Sequence, residues 1–251
     1  MKSVRIEEIS PQWTGLHAIF GGYVVARLLD AMACVDGFVV LSATVEFVGS
    51  VRPGEVTVDV DVVHLGSRTA TVTGSLSQGH VRAVGVAKLG RRRGDLRTPP
   101  LDLSQFDPPE QLKAELPPWG AVAFDERVEV RHLPPPNGDP RTGARAWVRV
   151  RSDADEAVVL RLDSLAPMFL DVLPPGTWYV EDLEGFAPTI EMSVHLGPRP
   201  AAYDRWHLVE QRAMVMADDY WIEDSTMYDD VGRVVAVVRQ TRIASDRVLE
   251  A

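Results

Sequence analysis

Few polar side chains in this sequence lie at positions where a polar group is unusual, and Gln240 is the clearest example. It closely follows the apolar run 234–238, where an amide that faces inward needs hydrogen-bonding partners. A second candidate is the pair Gly21-Gly22, which opens an apolar segment with helical spacing. The first turn of a helix has free backbone N–H groups and partial positive charge, and glycine has no Cβ to obstruct them. Such a turn can stabilise negative charge that develops on a substrate oxygen.

The other polar candidates have simpler explanations as well as chemical ones. Asp163 has apolar neighbours that would allow an inward position, but four further acidic residues lie near it, Asp153, Asp155, Glu156 and Asp171. A group of acidic residues such as this is typical of a solvated helix face. Thr189 has the position of an ordinary threonine at the start of a strand. His17, just before the glycine pair, is expected either to pack at the helix entry or to contact substrate.

These residues must be positioned by a helix and a set of strands that occur twice in the chain. In the first half, a predicted helix at 20–35 precedes strands at 39–51, 55–65, 69–77 and 81–89. In the second half, strands at 128–131 and 144–151 precede a helix at 156–172 and strands at 189–196, 206–217, 220–228 and 234–243. Ten of the 18 prolines lie between Pro99 and Pro140, which indicates a connector. Each half is therefore expected to consist of a strand, a helix and four antiparallel strands, with the helix covering the apolar face of the sheet.

This order of elements resembles the hotdog fold, and four segments resemble the acyl-CoA thioesterase II family of TesB-like double hotdogs. The four segments are His17–Ala26 with its Phe-Gly-Gly start, Asp163–Pro167, Pro188–His195 with its Thr-Ile-Glu strand, and Val237–Gln240. The resemblance implies an α+β fold with two hotdog repeats in one chain, each an antiparallel sheet wrapped round a helix. Residues 1–90 and 123–251 would form the two repeats, and residues 91–122 the Pro-rich linker.

The same resemblance implies a reaction, the hydrolysis of an acyl-CoA thioester to free acid and coenzyme A. Asp163 is expected to be the general base, with Thr189 and Gln240 positioning the water. His17, Phe20, Gly21 and Gly22 are the expected contacts to substrate or to its oxyanion. No metal and no bound cofactor are implied. Acyl-CoA is the expected small-molecule partner, and assembly into a homo-oligomer is expected by resemblance.

Composition narrows the classes of partner. With 26 basic and 36 acidic residues, the net charge of −10 opposes non-specific attraction to nucleic acid and to anionic membranes. No apolar run approaches the ~20 residues of a membrane span, and the first residues lack the apolar core of a signal peptide. A cytoplasmic location is therefore expected. Cys34 is the single cysteine, so an intrachain disulfide is excluded.

Two rival activities would each require a motif that the sequence lacks. No Gly-x-Ser-x-Gly nucleophile elbow occurs, which argues against a serine hydrolase. The Asp-x-Asn-x-x-His signature of some hotdog hydratases is excluded because Asn137, the single asparagine, lies in a Pro-rich turn. A hotdog dehydratase or hydratase of another kind, and a non-catalytic protein that binds acyl groups or acyl-CoA, remain as alternatives.

Overall fold

A computed structural model describes residues 2–91, 99–113, 122–135, 143–151, 164–175, 187–197, 205–217 and 219–243. In these ranges the helix α1 spans Gly21–Met32 and the helix α2 spans Ala166–Leu170. The strands are β1 (Lys2–Ile9), β2 (Val39–Phe47), β3 (Gly54–Leu65), β4 (Thr69–Gln78), β5 (His80–Gly90), β6 (Val128–Leu133), β7 (Ala144–Val150), β8 (Thr189–Leu196), β9 (His207–Ala217), β10 (Tyr220–Tyr228) and β11 (Val234–Ile243).

All of these strands belong to one antiparallel sheet in which the two halves of the chain lie side by side. The order is β1-β3-β4-β5-β2-β8-β11-β10-β9-β7-β6. The halves meet where β2 pairs with β8, with Thr44 opposite Ser193 and Val45 opposite Met192. The first helix packs on β2 to β5, the second on β10 and β11, and the two helices contact each other. This is the double-hotdog architecture, and the fold-class prediction is confirmed.

The predicted elements agree with the structure most closely in the second half. The predicted strands 189–196, 220–228 and 234–243 have the bounds of β8, β10 and β11. Strand β2 ends at Phe47, four residues before the predicted end at 51, and the chain from 47 to 51 instead borders a cavity. The second helix was predicted at 156–172; α2 covers 166–170, and residues 152–163 lie outside the described ranges.

Close contact between α1 and the first half of the sheet depends on two glycines in the strands. Gly74 of β4 and Gly85 of β5 lie directly opposite each other. A Cβ on either would lie 3.0 or 3.2 Å from a methyl carbon of Leu28, which is fully buried. Because neither glycine carries a side chain, the helix can approach the strands and fill the space above them.

None of the described helices is long and apolar enough to cross a bilayer.

Candidate active site

A cavity of about 330 Å³ lies at the junction of the two halves. The first half contributes residues 15–21, Val24 and the segment 47–51. The second half contributes residues 171–175, residues 187–190 and Arg242, and Phe124 completes the wall. Most of these side chains are apolar, so a ligand here is removed from water and polar groups in the wall act on it strongly.

The amino end of α1 faces this cavity. Its N-cap residue, Phe20, makes no capping hydrogen bond with its side chain. The Gly22 N–H donates to Oδ2 of Asp171 at 2.7 Å. The Gly21 N–H has no acceptor among the described residues, and Gly21 lines the cavity. One backbone donor of the first helical turn is therefore available to a ligand, with the helix dipole behind it.

Glycine at position 22 is required by the contact between the two helices. A Cβ there would lie 2.7 Å from the Pro167 carbonyl oxygen and 2.9 Å from Cβ of Asp171. A Cβ at Gly21 would lie 3.1 Å from Oδ2 of Asp171. The pair thus lets α1 approach the residues of α2, and at position 22 this packing role accompanies a hydrogen bond to a carboxylate.

Thr189 and Gln240, which were predicted to act together, are in direct contact. The Thr189 hydroxyl donates to Oε1 of Gln240 at 2.7 Å, and Nε2 of Gln240 makes a long hydrogen bond of 3.5 Å to the Leu170 carbonyl oxygen. Gln240 is 1% exposed, while Thr189 is half-buried and lines the cavity. The buried amide therefore has the hydrogen-bonding partners that a polar group in an apolar strand requires.

A buried network of charges continues from this pair. Arg242 donates to Oδ1 of Asp171 at 2.9 Å, to Oε2 of Glu223 at 2.7 Å and to the Ala187 carbonyl oxygen at 3.2 Å. Burial raises the pKa of Asp171, and the charge of Arg242 and the hydrogen bond from Gly22 act in the opposite direction. Burial acts to lower the pKa of Arg242, but the charges of Glu223 and Asp171 outweigh it and the pKa is raised.

Of the predicted site residues, His17, Phe20, Gly21 and Thr189 line the cavity, and Gly22 and Gln240 lie just behind it. The Phe20 ring stacks on Phe124, with ring centroids 4.3 Å apart. Asp163, the predicted general base, lies outside the described residues.

The expectation of a solvated helix face is wrong for Asp171. Its side chain is 6% exposed and is held by Gly22 and Arg242. Sequence reasoning also missed Arg242 and Glu223. Their signal was present in the sequence: Arg242 follows Gln240 by two residues in a strand and therefore shares its inward face, where an arginine needs a buried acidic partner.

Comparisons with known proteins agree with this architecture. Residues 9–90 match the sequence model described as "Acyl-CoA thioesterase N-terminal domain", and residues 98–244 match the "Acyl-CoA thioesterase C-terminal domain". An uncharacterized protein of Mycobacterium tuberculosis H37Rv is 26% identical over 268 aligned positions, which cover 93% of this chain and 88% of the relative.

Solved structures share the fold. A hotdog protein of unknown function from Alicyclobacillus acidocaldarius superimposes with a TM-score of 0.83 at 16% identity, over 98% of this chain and 94% of the other. Acyl-CoA thioesterase II TesB2 of Mycobacterium marinum does so with a TM-score of 0.75 at 17% identity, covering 98% and 94%. The dehydratase domain of PpsC from Mycobacterium tuberculosis is less similar, with a TM-score of 0.59 at 15% identity and coverage of 97% and 94%. Since the two matched domain models together span most of the sequence, the chain belongs to the acyl-CoA thioesterase family.

Proposed function

We propose that the protein hydrolyses the thioester of an acyl-CoA to a free acid and coenzyme A in the cavity at the junction of the halves. One observation carries the proposal: an available backbone donor at Gly21 and the side chain of Thr189, which is hydrogen-bonded to Gln240 behind the wall, border the same largely apolar cavity. Thioester hydrolysis needs these two kinds of group, one for the carbonyl oxygen and one for a water molecule. Membership of the acyl-CoA thioesterase family supports the choice of substrate.

The leaving group of this reaction does not need strong acid assistance. A thiol with a pKa of about 8.5 leaves as a thiolate near neutral pH without strong acid assistance. In the proposed step a water oxygen bonds to the carbonyl carbon while its proton passes to a carboxylate, and the tetrahedral intermediate then expels the thiolate as the C–S bond breaks. The thiolate is protonated by the carboxylic acid or by solvent.

Each proposed role falls on a particular residue. Asp163 is proposed as the general base, on the resemblance of its segment to the family. Thr189 and Gln240 are proposed to orient the water, because their hydroxyl and amide are already aligned with each other. Gly21 is proposed as the oxyanion donor, since the N–H of Gly22 is engaged by Asp171.

The wall of the cavity favours an apolar acyl group. Phe47, Phe124 and Leu173 in the wall suit an apolar chain or ring.

The test is a panel of acyl-CoAs from acetyl to palmitoyl with release of free thiol as the readout. We expect turnover of at least one acyl-CoA of the panel, and Asp163→Asn should lower kcat by about 10² to 10⁴. Asp59→Asn, which removes an exposed carboxylate from β3, is the matched control and should retain wild-type rate. Binding of acyl-CoA without turnover would instead favour a non-catalytic acyl-binding protein, and hydration of an enoyl-CoA would favour a hotdog hydratase. Cytoplasmic location and homo-oligomeric assembly remain predictions, to be checked by fractionation and by light scattering.

A further inference from the structure

We infer that Phe124 determines which acyl chain lengths the cavity accepts, because its ring forms part of the buried wall on which the acyl group packs. The inference rests on the proposed thioesterase function and concerns the acyl half of the substrate. Phe124 lies in a 3₁₀ turn at Ala123–Glu126, directly after the predicted Pro-rich linker and outside the sheet and both helices. Acyl specificity is thus assigned to a short segment that the choice of fold does not fix.

The exposure of the lining residues shows which part of the cavity suits each half of the substrate. Leu16 and Val48 are 38% and 63% exposed, and they mark the side at which the cavity meets solvent. Val24, Val51 and Phe124 are buried. Coenzyme A carries phosphate charges that are costly to remove from water, so it leaves through the exposed side. The acyl chain of the same molecule then packs on the buried part of the wall.

The ring of Phe124 lies beside the groups proposed to act on the thioester. It stacks on Phe20, with ring centroids 4.3 Å apart and ring planes inclined by 18°. Phe20 immediately precedes Gly21, the proposed oxyanion donor. Such stacking adds to the packing energy and holds two rings in one relative position. An acyl chain that extends from the carbonyl along the buried wall therefore meets this pair of rings.

Backbone hydrogen bonds fix the turn that carries Phe124 independently of its side chain. The Phe124 N–H donates to the Thr14 carbonyl oxygen at 3.3 Å, and the Phe124 carbonyl oxygen accepts from the Arg127 N–H at 2.8 Å. The Val122 N–H donates to Oδ2 of Asp125 at 2.8 Å. Because these bonds survive a change of side chain and buried sites relax only partially, a smaller residue at position 124 leaves space that an acyl chain can fill.

The other two phenylalanines of the wall are less suited to this role. Phe20 is the N-cap of α1, and Cζ of Phe47 would lie 3.6 Å from a Cβ on Gly21. A change in either ring therefore alters the surroundings of the oxyanion donor as well as the acyl space. Phe124 packs on Phe20 from the turn that follows the linker, so its size alters the acyl space more than the donor.

The test compares Phe124→Ala and Phe124→Trp with the wild type, using acyl-CoAs on either side of the chain length that the wild type prefers. One methylene that fits or fails to fit an apolar pocket changes kcat/KM by about 10-fold or more. For Phe124→Ala we expect kcat/KM of the longer acyl-CoAs, relative to that of the wild-type optimum, to rise by about 10-fold or more. Phe124→Trp should shift the preference toward shorter chains.

The matched control is Phe38→Ala. Phe38 is 7% exposed, as Phe124 is, but it lies outside the cavity wall, with the Arg91 guanidinium 4.8 Å from its ring centroid. This variant loses the same buried ring and should keep the wild-type order of preference. If Phe124→Ala does not fold, Phe124→Leu replaces it, with a smaller shift in the same direction. Calorimetric binding of S-alkyl-CoA thioethers, which cannot be hydrolysed, should show the same shift in affinity.

The inference is overturned if Phe124→Ala lowers kcat/KM equally for all chain lengths, which is the result of a purely structural role, or if the order of preference is unchanged in Phe124→Ala and Phe124→Trp. A wild-type protein that binds the thioethers but hydrolyses no acyl-CoA would reject the proposed hydrolysis, and the thioether series would still decide the role of Phe124. A wild-type protein that binds none of them would reject both.

Discussion

The hydroxyl of Thr189 donates a hydrogen bond of 2.7 Å to Oε1 of Gln240, across two paired strands and 51 residues of sequence. This bond fixes the amide so that its nitrogen is directed to the carbonyl oxygen of Leu170. The orientation of a buried amide is otherwise free to invert, so the threonine determines that the oxygen of the amide faces Thr189 and its nitrogen faces Leu170.

Replacing Thr189 by valine should therefore impair turnover with little effect on the fold. Valine preserves the shape of the side chain but removes the donor that orients Gln240, and we expect kcat to fall about 10-fold. Thiol release with a preferred acyl-CoA measures the effect. Thr44→Val, which removes an exposed hydroxyl bonded to Ser193, is the control and should keep its rate. An unchanged kcat in Thr189→Val would show that the amide needs no such orientation.

Alanine at position 22 should destabilise the protein. Its Cβ would lie 2.7 Å from the backbone oxygen of Pro167, so the two helices would have to move apart at a cost of about 1 to 3 kcal/mol. Chemical denaturation measures the loss. Gly15→Ala is the matched comparison, because the nearest atom to its Cβ is 3.6 Å away, an ordinary contact. Equal stability of the two variants would contradict the close approach of the helices.

Stability should also fall on mild acidification because of His207, which is 2% exposed and stacks on Phe169. Burial lowers its pKa from 6.5 to about 4, against the raising effect of backbone hydrogen bonds and nearby aspartates. As the pH falls through 6.5, the unfolded chain takes up a proton that the folded protein does not, so stability is lost progressively down to a pH of about 4. The expected loss between about pH 7.5 and about pH 5 is about 2 kcal/mol.

Urea denaturation at the two pH values measures this loss, and His207→Gln should make the dependence shallower. His195→Gln, an exposed substitution on β8, should not. If the free energy of unfolding changes equally with pH in the wild type and in His207→Gln, other groups cause the acid sensitivity.

An acyl group that ends in a carboxylate should be a poor substrate. Two carboxylates, Asp171 and Glu223, and one guanidinium, Arg242, lie in and behind the cavity wall, and the guanidinium already donates a hydrogen bond to each carboxylate. Adipoyl-CoA and hexanoyl-CoA have acyl chains of equal carbon number, and we expect kcat/KM for the first to be lower by about 10-fold or more. Comparable values would indicate that Arg242 can leave its partners to bind an anion.

The sequence was most informative where one physical pattern determines an element. Alternation of apolar and polar residues predicted the bounds of β8, β10 and β11, and α1 begins at the glycine pair as expected. Gln240 could be selected because an amide in an apolar strand needs a partner. Asp171 could not, because acidic neighbours in the sequence do not reveal which side chain turns inward. Its partners, Gly22 and Arg242, come from a helix and a strand that only the folded sheet brings together.

The pairing of β2 with β8 has a consequence for the behaviour of the protein in dilute solution. A site built between two separate hotdog subunits is lost by mass action when the subunits dissociate. Here both walls of the cavity belong to one polypeptide, so their encounter is intramolecular. Specific activity should therefore stay constant as the protein is diluted, whatever larger assembly forms at high concentration.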